Sequence, residues 1–410
     1  MPGAGIHESV GRPTIPRRQS RRPGRVARTS AKARYDLFIR SDRVFFGRGY
    51  RFHVRGELTR LEATAVGELS GIPKLRCGIL GCARIARRGL IPGIQGSTSG
   101  SLQALASRDL TTARAWAEEF AVPKAYGSYR ELVHDSEIDA IYIPLPNELH
   151  KPWVLAAADA GKHVLCEKPL ALDAREAAEI VGYCRDRGVI LMEAFMWRHQ
   201  ARSLALRTMV RDGAIGTLRL IRSSFSFPIE PGDWRLDPAR GGGALWDVGC
   251  YGVSTARFFA ENEPIKWHAA AYRGETGVDL TLTALLEFES GVLAMVDCSF
   301  EQPLRCAYEL VGTRGVIEVP DAYVPPATGK ALSRLRTIGS VSGSSSGADQ
   351  VRTLEFEQAD QYAAMVDAFG SSIHAGALID PAEDGLAQME VLDRLRVAAG
   401  GASLIGPLAK

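Results

Sequence analysis

The sequence has no paired cysteine motif and no long apolar run. Its seven cysteines are odd in number and scattered, with no Cys-x-x-Cys pair, which argues against a disulfide framework and a zinc site and predicts free thiols in the cytoplasm. No apolar stretch reaches the roughly 18 residues of a membrane-spanning helix. With 46% hydrophobic and 24% charged residues over 410 positions, the composition is that of a globular protein of about two domains.

Acidic residues are scarce at the N-terminus and in excess elsewhere. Residues 1–73 contain 15 lysines and arginines but 6 aspartates and glutamates, so the net charge of +3 leaves the rest of the chain acidic. An acidic body argues against nucleic-acid binding, which depends on phosphate neutralisation. Residues 1–73 show no sustained period and include the basic run Arg17–Arg25. They predict a disordered extension, with a targeting segment or a nucleic-acid-binding arm as alternatives.

A short apolar strand followed by a turn of small residues begins the predicted folded body. The run Leu75–Leu80 suits a parallel strand covered on both faces. Gly81, Ala83 and Ala86 then form a Gly-x-Ala-x-x-Ala version of the dinucleotide fingerprint, in which glycine permits the tight turn and the alanines leave room for pyrophosphate and close packing. A turn without a ligand would look similar. The predicted cofactor contacts, through backbone amides facing the phosphates, are Gly81, Ala83, Arg84 and Ile85.

No carboxylate is present where a dinucleotide fold usually binds the ribose. Pro92 is predicted to end the first helix, and the next strand, 102–107, ends in Ser107 and Arg108. An Asp or Glu there would bind the 2'-hydroxyl of NAD, whereas a hydroxyl and a guanidinium suit a 2'-phosphate. Asp109 is expected to face away from that phosphate. The sequence therefore predicts NADP, with NAD as an alternative and a solvated surface role as the alternative for Arg108.

Two further strand ends carry polar residues. The strand 138–143 breaks at a Pro-Leu-Pro-Asn turn, and the strand 163–166 runs into Glu-Lys-Pro. Pro169 keeps the preceding lysine out of the helical region. Open α/β sheets bind ligands at the carboxyl ends of their strands, so these turns are predicted to meet in one cleft, although a structural lysine is the alternative. The residues expected there are Pro146, Asn147, His150, Glu167 and Lys168.

After about residue 195, successive strands replace the alternation of strands and helices. Six segments between 219 and 319 alternate apolar and polar residues without crossover helices, which predicts a mostly antiparallel sheet. The Ser/Gly-rich stretch 325–350 is predicted to be a flexible excursion. Two helices, over 361–373 and 381–399, are expected to close the chain.

One helix is expected to interrupt the second sheet, over 244–259. It contains Gly249 and Gly252, each unfavourable by about 1 kcal/mol relative to alanine, which predicts a closely packed neighbour. Asp247 and Tyr251 are four positions apart and therefore share one face of this helix.

These motifs together resemble the glucose-fructose oxidoreductase/inositol dehydrogenase (Gfo/Idh/MocA) family, most closely its dihydrodiol dehydrogenases and NADP-dependent D-xylose 1-dehydrogenases. The resemblance implies an α/β fold: an N-terminal Rossmann domain at 74–195 with a doubly wound parallel sheet, and a C-terminal α+β domain at 196–400. The largely antiparallel open sheet of the second domain would cover the active site and mediate a homodimer or higher oligomer. The matching stretches are GILGCARIA, ALASRD, DAIYIPLPNELH, AGKHVLCEKPLAL, MEAFMWRH, DGAIGTLRLIRSSFSF and GGGALWDVGCYGV.

By position, the resemblance makes Lys168 catalytic and Asp247 and Tyr251 the substrate-side pair. The implied reaction is hydride transfer between nicotinamide and a carbinol carbon of a sugar or cyclic diol. The Lys168 ammonium is expected to lower the pKa of Tyr251 by about 2 units and so favour phenolate, while Asp247 orients the substrate hydroxyl or the lysine. A capped core tyrosine is the alternative. Predicted substrate contacts are Arg198, Trp234, Arg235 and Trp246; Ala201, where the subgroup usually has proline, leaves the placement of Arg198 open.

Two other functions remain open. One is an NADPH-dependent ketoreductase acting on a nucleotide-linked or anhydro sugar, and the motifs do not separate it from a dehydrogenase. The other is a non-catalytic nucleotide-binding sensor, against which the presence of Lys168, Asp247 and Tyr251 argues. The expected partners are a small sugar or diol and further copies of this chain, with no nucleic acid, membrane or metal.

Overall fold

The computed structural model describes residues 52–54, 73–325, 329–338, 349–357, 360–376 and 381–400. Strands in this part of the chain form two sheets, one of six strands and one of nine. Within the predicted N-terminal extension, Phe52–Val54 form a strand, β1, which corrects the prediction of disorder there. The basic run Arg17–Arg25 lies outside the described residues, and its suggested roles stay predictions.

The six-stranded sheet is parallel throughout and has the strand order of a doubly wound dinucleotide-binding fold. Its spatial order is β4-β3-β2-β5-β6-β7, so the winding direction reverses between β2 and β5. In such sheets the ligand cleft lies at this switch point, beyond the carboxyl ends of the strands. The predicted Rossmann sheet is confirmed. Its strands are β2 (Leu75–Leu80), β3 (Gly100–Ala106), β4 (Lys124–Tyr126), β5 (Ala140–Ile143), β6 (His163–Cys166) and β7 (Leu191–Glu193).

The helices of this region lie between its strands. A π-helical turn, Ala86–Leu90, continues into the first of them. The prediction that Pro92 ends the helix is therefore wrong: Pro92 lies in the first turn of α1, where the missing N–H removes no required hydrogen bond. The helices are α1 (Ile91–Gly96), α2 (Leu110–Glu119), α3 (Tyr129–Val133), α4 (His150–Asp159) and α5 (Ala174–Asp186).

The nine-stranded sheet is mostly antiparallel, and all of its strands except β1 follow helix α6 (Ala201–Arg211). Its order is β1-β15-β14-β13-β12-β8-β11-β10-β9, and among these described strands the pairing of β8 with β11 is parallel. The predicted antiparallel sheet is confirmed. Its other strands are β8 (Leu218–Ser226), β9 (Pro264–Arg273), β10 (Asp279–Phe288), β11 (Leu293–Ser299), β12 (Arg305–Gly312), β13 (Gly315–Val319), β14 (Lys330–Thr337) and β15 (Gln350–Glu357).

The predicted flexible excursion over 325–350 is wrong for part of its length, because it contains β14. Side chains alternate along this strand: Ala331 and Leu335 are buried, whereas Leu332 and Arg334 are exposed. That period of two is typical of a strand with one covered face. The serine and glycine residues that follow it in the sequence concealed the alternation.

The helix predicted over 244–259 forms as a π-helical turn, Leu245–Gly249, continued by α7 (Cys250–Ala260). Its glycines allow it to lie directly on the second sheet. A Cβ on Gly252 would lie 2.4 Å from Val296 Cγ1 of β11, and one on Gly249 would lie 2.9 Å from Cys298 Sγ. The close neighbour predicted from these glycines is therefore the sheet itself.

The last two helices, α8 (Gln361–Ala375) and α9 (Ala382–Ala398), return to the first sheet. Tyr362 of α8 packs against Gly93 of α1, and the Asp393 carboxylate of α9 accepts a 2.7 Å hydrogen bond from Ala174 N of α5. Residues after 360 thus pack on the region predicted to end at 195. No described helix is both long and apolar enough to cross a membrane.

Candidate active site

A cleft lies where the carboxyl ends of β5 and β6 face the second sheet. From the first region it is lined by the turns after β2, β5 and β6, and from the second by β8, the segment before α7, and α7 itself. The lining residues are Ile85, Leu145, Asn147, Glu167, Lys168, Met196, Phe225, Phe227, Trp234, Arg235, Asp247, Val248, Tyr251 and Tyr362.

Lys168 and Asp247 form an ion pair at the centre of this cleft. Lys168 Nζ donates to Asp247 O at 2.8 Å and to Asp247 Oδ1 at 3.1 Å, and the two side chains are 12% and 14% exposed. Burial favours the neutral amine, but the Asp247 carboxylate outweighs it and raises the pKa of Lys168. The lysine is therefore held as an ammonium. The peptide bond between Lys168 and Pro169 is cis.

Asp247 also binds a second cation, Arg235, which belongs to the same region of the chain as Asp247. Arg235 Nε donates to Asp247 Oδ2 at 2.8 Å, and Arg235 Nη1 pairs with Asp233 at 3.1 Å. Burial opposes ionisation of Asp247, but Lys168 and Arg235 outweigh this effect and lower its pKa. Both oxygens of the carboxylate are engaged, so in this structure Asp247 positions the two cations.

Tyr251 lies one turn beyond Asp247, and its ring faces the lysine. Lys168 Nζ is 5.0 Å from the centroid of the Tyr251 ring. Within the described residues, the phenol hydroxyl makes one weak contact, to Met196 Sδ at 3.6 Å. Burial raises the pKa of Tyr251 well above its ordinary value. The expected lowering of this pKa is therefore wrong: removal of the ring from water raises the pKa and so favours the neutral phenol.

Three consecutive glycines and a buried carboxylate fix the segment that carries Asp247. Gly243 has φ +122°, and a Cβ there would lie 2.4 Å from Asp279 Oδ1. Asp279 Oδ2 accepts a 2.6 Å hydrogen bond from Leu245 N, which anchors the start of the π-helical turn. Gly241 has φ +73°, and its carbonyl accepts a 2.9 Å hydrogen bond from Asn147 Nδ2. The turn after β5 is thereby tied to the turn before Asp247.

The glycine turn after β2 fits the phosphates of a dinucleotide. Gly81 has φ +101°, and a Cβ on it would lie 2.9 Å from Leu145 Cδ2, so a larger residue does not fit. Ala83 is partly exposed, Arg84 is exposed, and Ile85 lines the cleft. Small residues at the carboxyl end of the first strand leave the backbone accessible to pyrophosphate.

The end of β3 carries an exposed cation. Arg108 is exposed, and its guanidinium lies near the Tyr129 hydroxyl. The Asp109 carboxylate instead accepts hydrogen bonds from Thr111 N at 3.0 Å and Thr112 N at 3.1 Å, which makes it the N-cap of α2. Ser107 Oγ accepts from Asp109 N at 3.2 Å. The expectation that Asp109 faces away from a bound phosphate agrees with this geometry.

His150 does not face the cleft, which corrects its assignment as a cofactor contact. It is fully buried, and its ring nitrogens lie 2.8 Å from Leu145 O and 3.0 Å from Pro169 O. Burial lowers the pKa of His150. The imidazole therefore bridges the turn after β5 and the turn that carries Lys168, and neither ring nitrogen is available to a ligand. Pro146, partly exposed, precedes Asn147 in the same turn.

Glu167, the other polar residue at the end of β6, points into the cleft beside Lys168. Its Oε1 accepts a hydrogen bond from the hydroxyl of the buried Tyr142. Burial raises the pKa of Glu167, against the lowering effect of Lys168.

Arg198 and Trp246 lie away from the cleft, so their assignment as substrate contacts is wrong. Arg198 is buried in an ion pair with Asp384 of α9 and donates to Ser254 Oγ at 3.0 Å. The Trp246 ring is buried, with the Arg396 guanidinium 4.8 Å from its centroid. Trp234 and Arg235, by contrast, line the cleft.

Six lining residues were not singled out from the sequence: Leu145, Met196, Phe225, Phe227, Val248 and Tyr362. The phenylalanines alternate on and beyond β8, a pattern that also describes an ordinary covered face. Tyr362 belongs to a helix about 110 residues after Tyr251 in the chain, and no local pattern connects the two.

Two family models match this chain. Residues 75–195 match an oxidoreductase family with an NAD-binding Rossmann fold, and residues 203–318 match the GFO/IDH/MocA C-terminal domain. Together they cover more than half of the 410 residues. The chain belongs to the GFO/IDH/MocA oxidoreductase family. The resemblance drawn from the sequence motifs is confirmed, and the chain is an enzyme of the oxidoreductase class.

Relatives with known names include both proteins that the motifs resembled. D-xylose 1-dehydrogenase (NADP(+)) 2 of Haloferax volcanii is 38% identical over 78% of this chain and 96% of its own length. Trans-1,2-dihydrobenzene-1,2-diol dehydrogenase of Mus musculus is 38% identical over 56% of this chain and 69% of its own length. A 3-ketoreductase from Actinomadura kijaniata, solved with NADP and TDP-benzene, is 31% identical, has a TM-score of 0.72, and is matched over 80% of this chain and 98% of that one.

Proposed function

We propose that this oxidoreductase uses NADP to transfer a hydride to or from a carbinol carbon of a sugar or cyclic diol. The observation that carries the proposal is the meeting of Lys168, Asp247 and Tyr251 in one cleft, beside the glycine turn at the end of β2. These groups come from two regions of the chain, and their convergence at the switch point of the sheet is typical of a catalytic cleft.

The three side chains can manage the proton that accompanies the hydride. Bound NADPH supplies the hydride in the direction of reduction. Tyr251, a neutral phenol, donates its proton to the substrate oxygen as that oxygen gains negative charge. The Lys168 ammonium, held by Asp247 at 3.1 Å, stabilises the same developing charge. In the direction of oxidation, the substrate proton must pass to a Tyr251 phenolate, which the raised pKa of this residue makes scarce.

That protonation state favours a second candidate, an NADPH-dependent ketoreductase acting on a sugar. A phenol whose pKa is raised stays protonated at neutral pH, so it holds the proton that reduction requires, and the phenolate that oxidation requires is scarce. The structurally similar 3-ketoreductase from Actinomadura kijaniata supports the same direction. The xylose dehydrogenase relative supports the opposite one, and the two candidates share the site.

NADP is supported by the residues at the end of β3. Arg108 is exposed there beside a serine hydroxyl, and the nearest carboxylate, Asp109, is occupied as a helix cap. A planar guanidinium with this freedom can bind a 2'-phosphate through two hydrogen bonds. On the substrate side, Asp233 orients the Arg235 cation, whose guanidinium lies 5.0 Å from the centroid of the Trp234 ring.

We also propose that this chain forms a homodimer through the uncovered face of the nine-stranded sheet. Cross-strand neighbours on that face include Leu285 with Met295, and Leu293 with Leu220 and Val311 across the next strands. Leu293 and Met295 are 41% and 44% exposed. A contiguous apolar band of this kind on a folded chain is typical of a protein–protein interface.

A substrate panel tests the proposed function directly. NADPH and NADH binding is measured first, by nucleotide fluorescence, and turnover is then followed at 340 nm with aldoses, keto-sugars and a cyclic diol, in both directions at neutral pH. Turnover of a sugar with NADPH or NADP supports the proposal, and faster reduction than oxidation supports the ketoreductase. Binding of nucleotide without any turnover would instead indicate a sensor.

A further inference from the structure

Tyr362 brings the C-terminal part of the chain into the cleft. It lies in the first turn of α8, where the Asp360 cap accepts a 2.8 Å hydrogen bond from Tyr362 N. Its side chain lines the same cleft as Ile85, Glu167 and Tyr251. None of the chemistry proposed above uses it.

The first helical segment of the Rossmann region is shaped to receive this ring. A Cβ on Gly89 would lie 2.5 Å from Tyr362 Cζ and 2.7 and 2.8 Å from its Cε atoms. A Cβ on Gly93 would lie 2.5 Å from Tyr362 Cβ. A side chain at Gly89 would displace the ring, and one at Gly93 would displace the start of α8 that carries it. The two glycines therefore form a seat for Tyr362 on the helical segment that follows the dinucleotide turn.

This seat places Tyr362 on the cofactor side of the cleft. The ring lies against the π-helical turn that begins one residue after Ile85, whereas Trp234 and Arg235 stand on the segment before Asp247. The Tyr362 hydroxyl forms no hydrogen bond with any described residue. Burial and the Glu167 carboxylate raise the pKa of Tyr362, so the hydroxyl carries a proton that it can donate.

We propose that Tyr362 is a cofactor-contacting residue, whose ring walls the dinucleotide cleft and whose hydroxyl donates a hydrogen bond to the bound nucleotide. This inference rests on the proposed NADP-dependent function. It assigns to the second region, beyond its substrate residues, a direct part in holding the cofactor. The contact would also connect nucleotide binding to the packing of α8 on α1.

The first test removes only the hydroxyl. Tyr362→Phe is expected to raise the dissociation constant for NADPH about three- to tenfold, the loss of one hydrogen bond, while the KM for the sugar changes less than about twofold. Binding is measured by NADPH fluorescence and does not require turnover. A dissociation constant like that of the wild type, with a raised sugar KM, would reassign Tyr362 to the substrate and overturn the inference.

The second test moves the ring without changing Tyr362. Gly89→Ala is expected to weaken NADPH binding in the wild type and to have no further effect in the Tyr362→Ala background, where the added methyl group meets no ring. Gly182→Ala is the matched control, because Gly182 is also inside a helix but a Cβ there meets only Arg185 Nη2, at 3.8 Å. Equal effects of Gly89→Ala in both backgrounds would overturn the proposed seat.

The outcomes separate this inference from the function on which it rests. A wild-type protein that binds NADPH but turns over no substrate contradicts the proposed function and leaves Tyr362 to be judged on binding. Wild-type affinity in Tyr362→Phe contradicts only the inference. A wild-type protein that binds no nicotinamide nucleotide contradicts both, and melting temperatures of all variants show whether any loss reflects unfolding.

Discussion

The two sheets of this protein bury their strands in different ways. In the six-stranded sheet, all four residues of β5 are buried, because α-helices of the chain cover both faces. In the nine-stranded sheet, β14 alternates exposed and buried residues along its length, and apolar side chains such as Tyr272 remain 63% exposed. A ligand can approach the first sheet only at the ends of its strands, whereas one face of the second sheet is open to a partner.

Because of this difference, the two regions have different roles. Strand ends of the first sheet carry Gly81, Arg108 and the cleft residue Lys168, and the covered face of the second sheet supports the helix that carries Asp247 and Tyr251. Substitutions at the strand ends should therefore change chemistry and cofactor binding. Substitutions on the open face should change assembly alone. Four substitutions test this contrast, from the largest expected effect to the smallest.

Lys168→Met removes the ammonium at a strand end and keeps the apolar stem. We expect turnover to fall about 10²- to 10⁴-fold, the range for loss of a proton-transfer or charge-stabilising group, with NADPH affinity and melting temperature nearly unchanged because Arg235 still pairs with Asp247. Steady-state kinetics and NADPH fluorescence measure both quantities. Lys151→Met, at a surface pair with Glu179, is the control, and near-wild-type turnover in Lys168→Met would remove the lysine from the mechanism.

Arg108→Ala tests the other strand end. Loss of a charge-assisted contact of about 1.5–3 kcal/mol should weaken NADPH binding roughly 10- to 150-fold, while NADH, which lacks the 2'-phosphate, should bind almost as before. Fluorescence titration with both nucleotides measures this ratio. Arg185→Ala, an exposed arginine at the end of α5, is the control. Equal losses for the two nucleotides contradict the assignment of Arg108 to the phosphate.

Glu193→Gln tests a buried carboxyl group at the end of β7. Burial raises the pKa of Glu193 to about 8; one oxygen accepts from Leu170 N at 2.9 Å and the other is buried without a partner. The folded state then holds a proton that the unfolded state releases, so wild-type stability should fall as pH rises from about 4.5 to 8.

In Glu193→Gln this decline should largely disappear, with a gain on the order of 1–3 kcal/mol at pH 8–9 relative to the wild type. Urea unfolding at pH 5 and pH 9 measures it. Glu118→Gln, an exposed glutamate on α2, should leave the wild-type pH dependence intact. The same pH dependence in Glu193→Gln and the wild type would refute the raised pKa.

Met295→Glu tests the open face. The substitution adds charge beside Leu285 of β10, so a dimer should dissociate, while the stability of each subunit changes by less than about 0.5 kcal/mol. Light scattering after size exclusion gives the mass, and Val397→Glu, 45% exposed on α9, is the control. If the wild type is a dimer and the variant has the same mass, this face is not the interface. If the variant unfolds, the open face also stabilises the subunit, which contradicts the contrast drawn between the two sheets.

Sequence patterns predicted the parts of the site that depend on local geometry. Pro169 fixed the backbone of Lys168, and spacing of four placed Asp247 and Tyr251 on one helix face. Orientation was less predictable: His150, Arg198 and Trp246 lie within correctly predicted motifs yet point into the interior. The direction of the Tyr251 pKa shift also required the structure, because the depth of burial, and not the charge of one neighbour, decides it.

The closing helix α9 has a consequence for how the protein is made. Its Asp384 carboxylate, with a pKa lowered to about 2, pairs with both Arg198 and Arg257, two buried cations encoded far upstream. During translation the ribosome exposes those arginines long before it delivers the carboxylate that they share. The interior beside the cleft therefore reaches its final charge balance only when nearly the whole polypeptide has emerged. A chain stopped before residue 384 leaves the buried Arg198 without this carboxylate, whereas Arg257 keeps its ion pair with Glu263 at 2.7 Å.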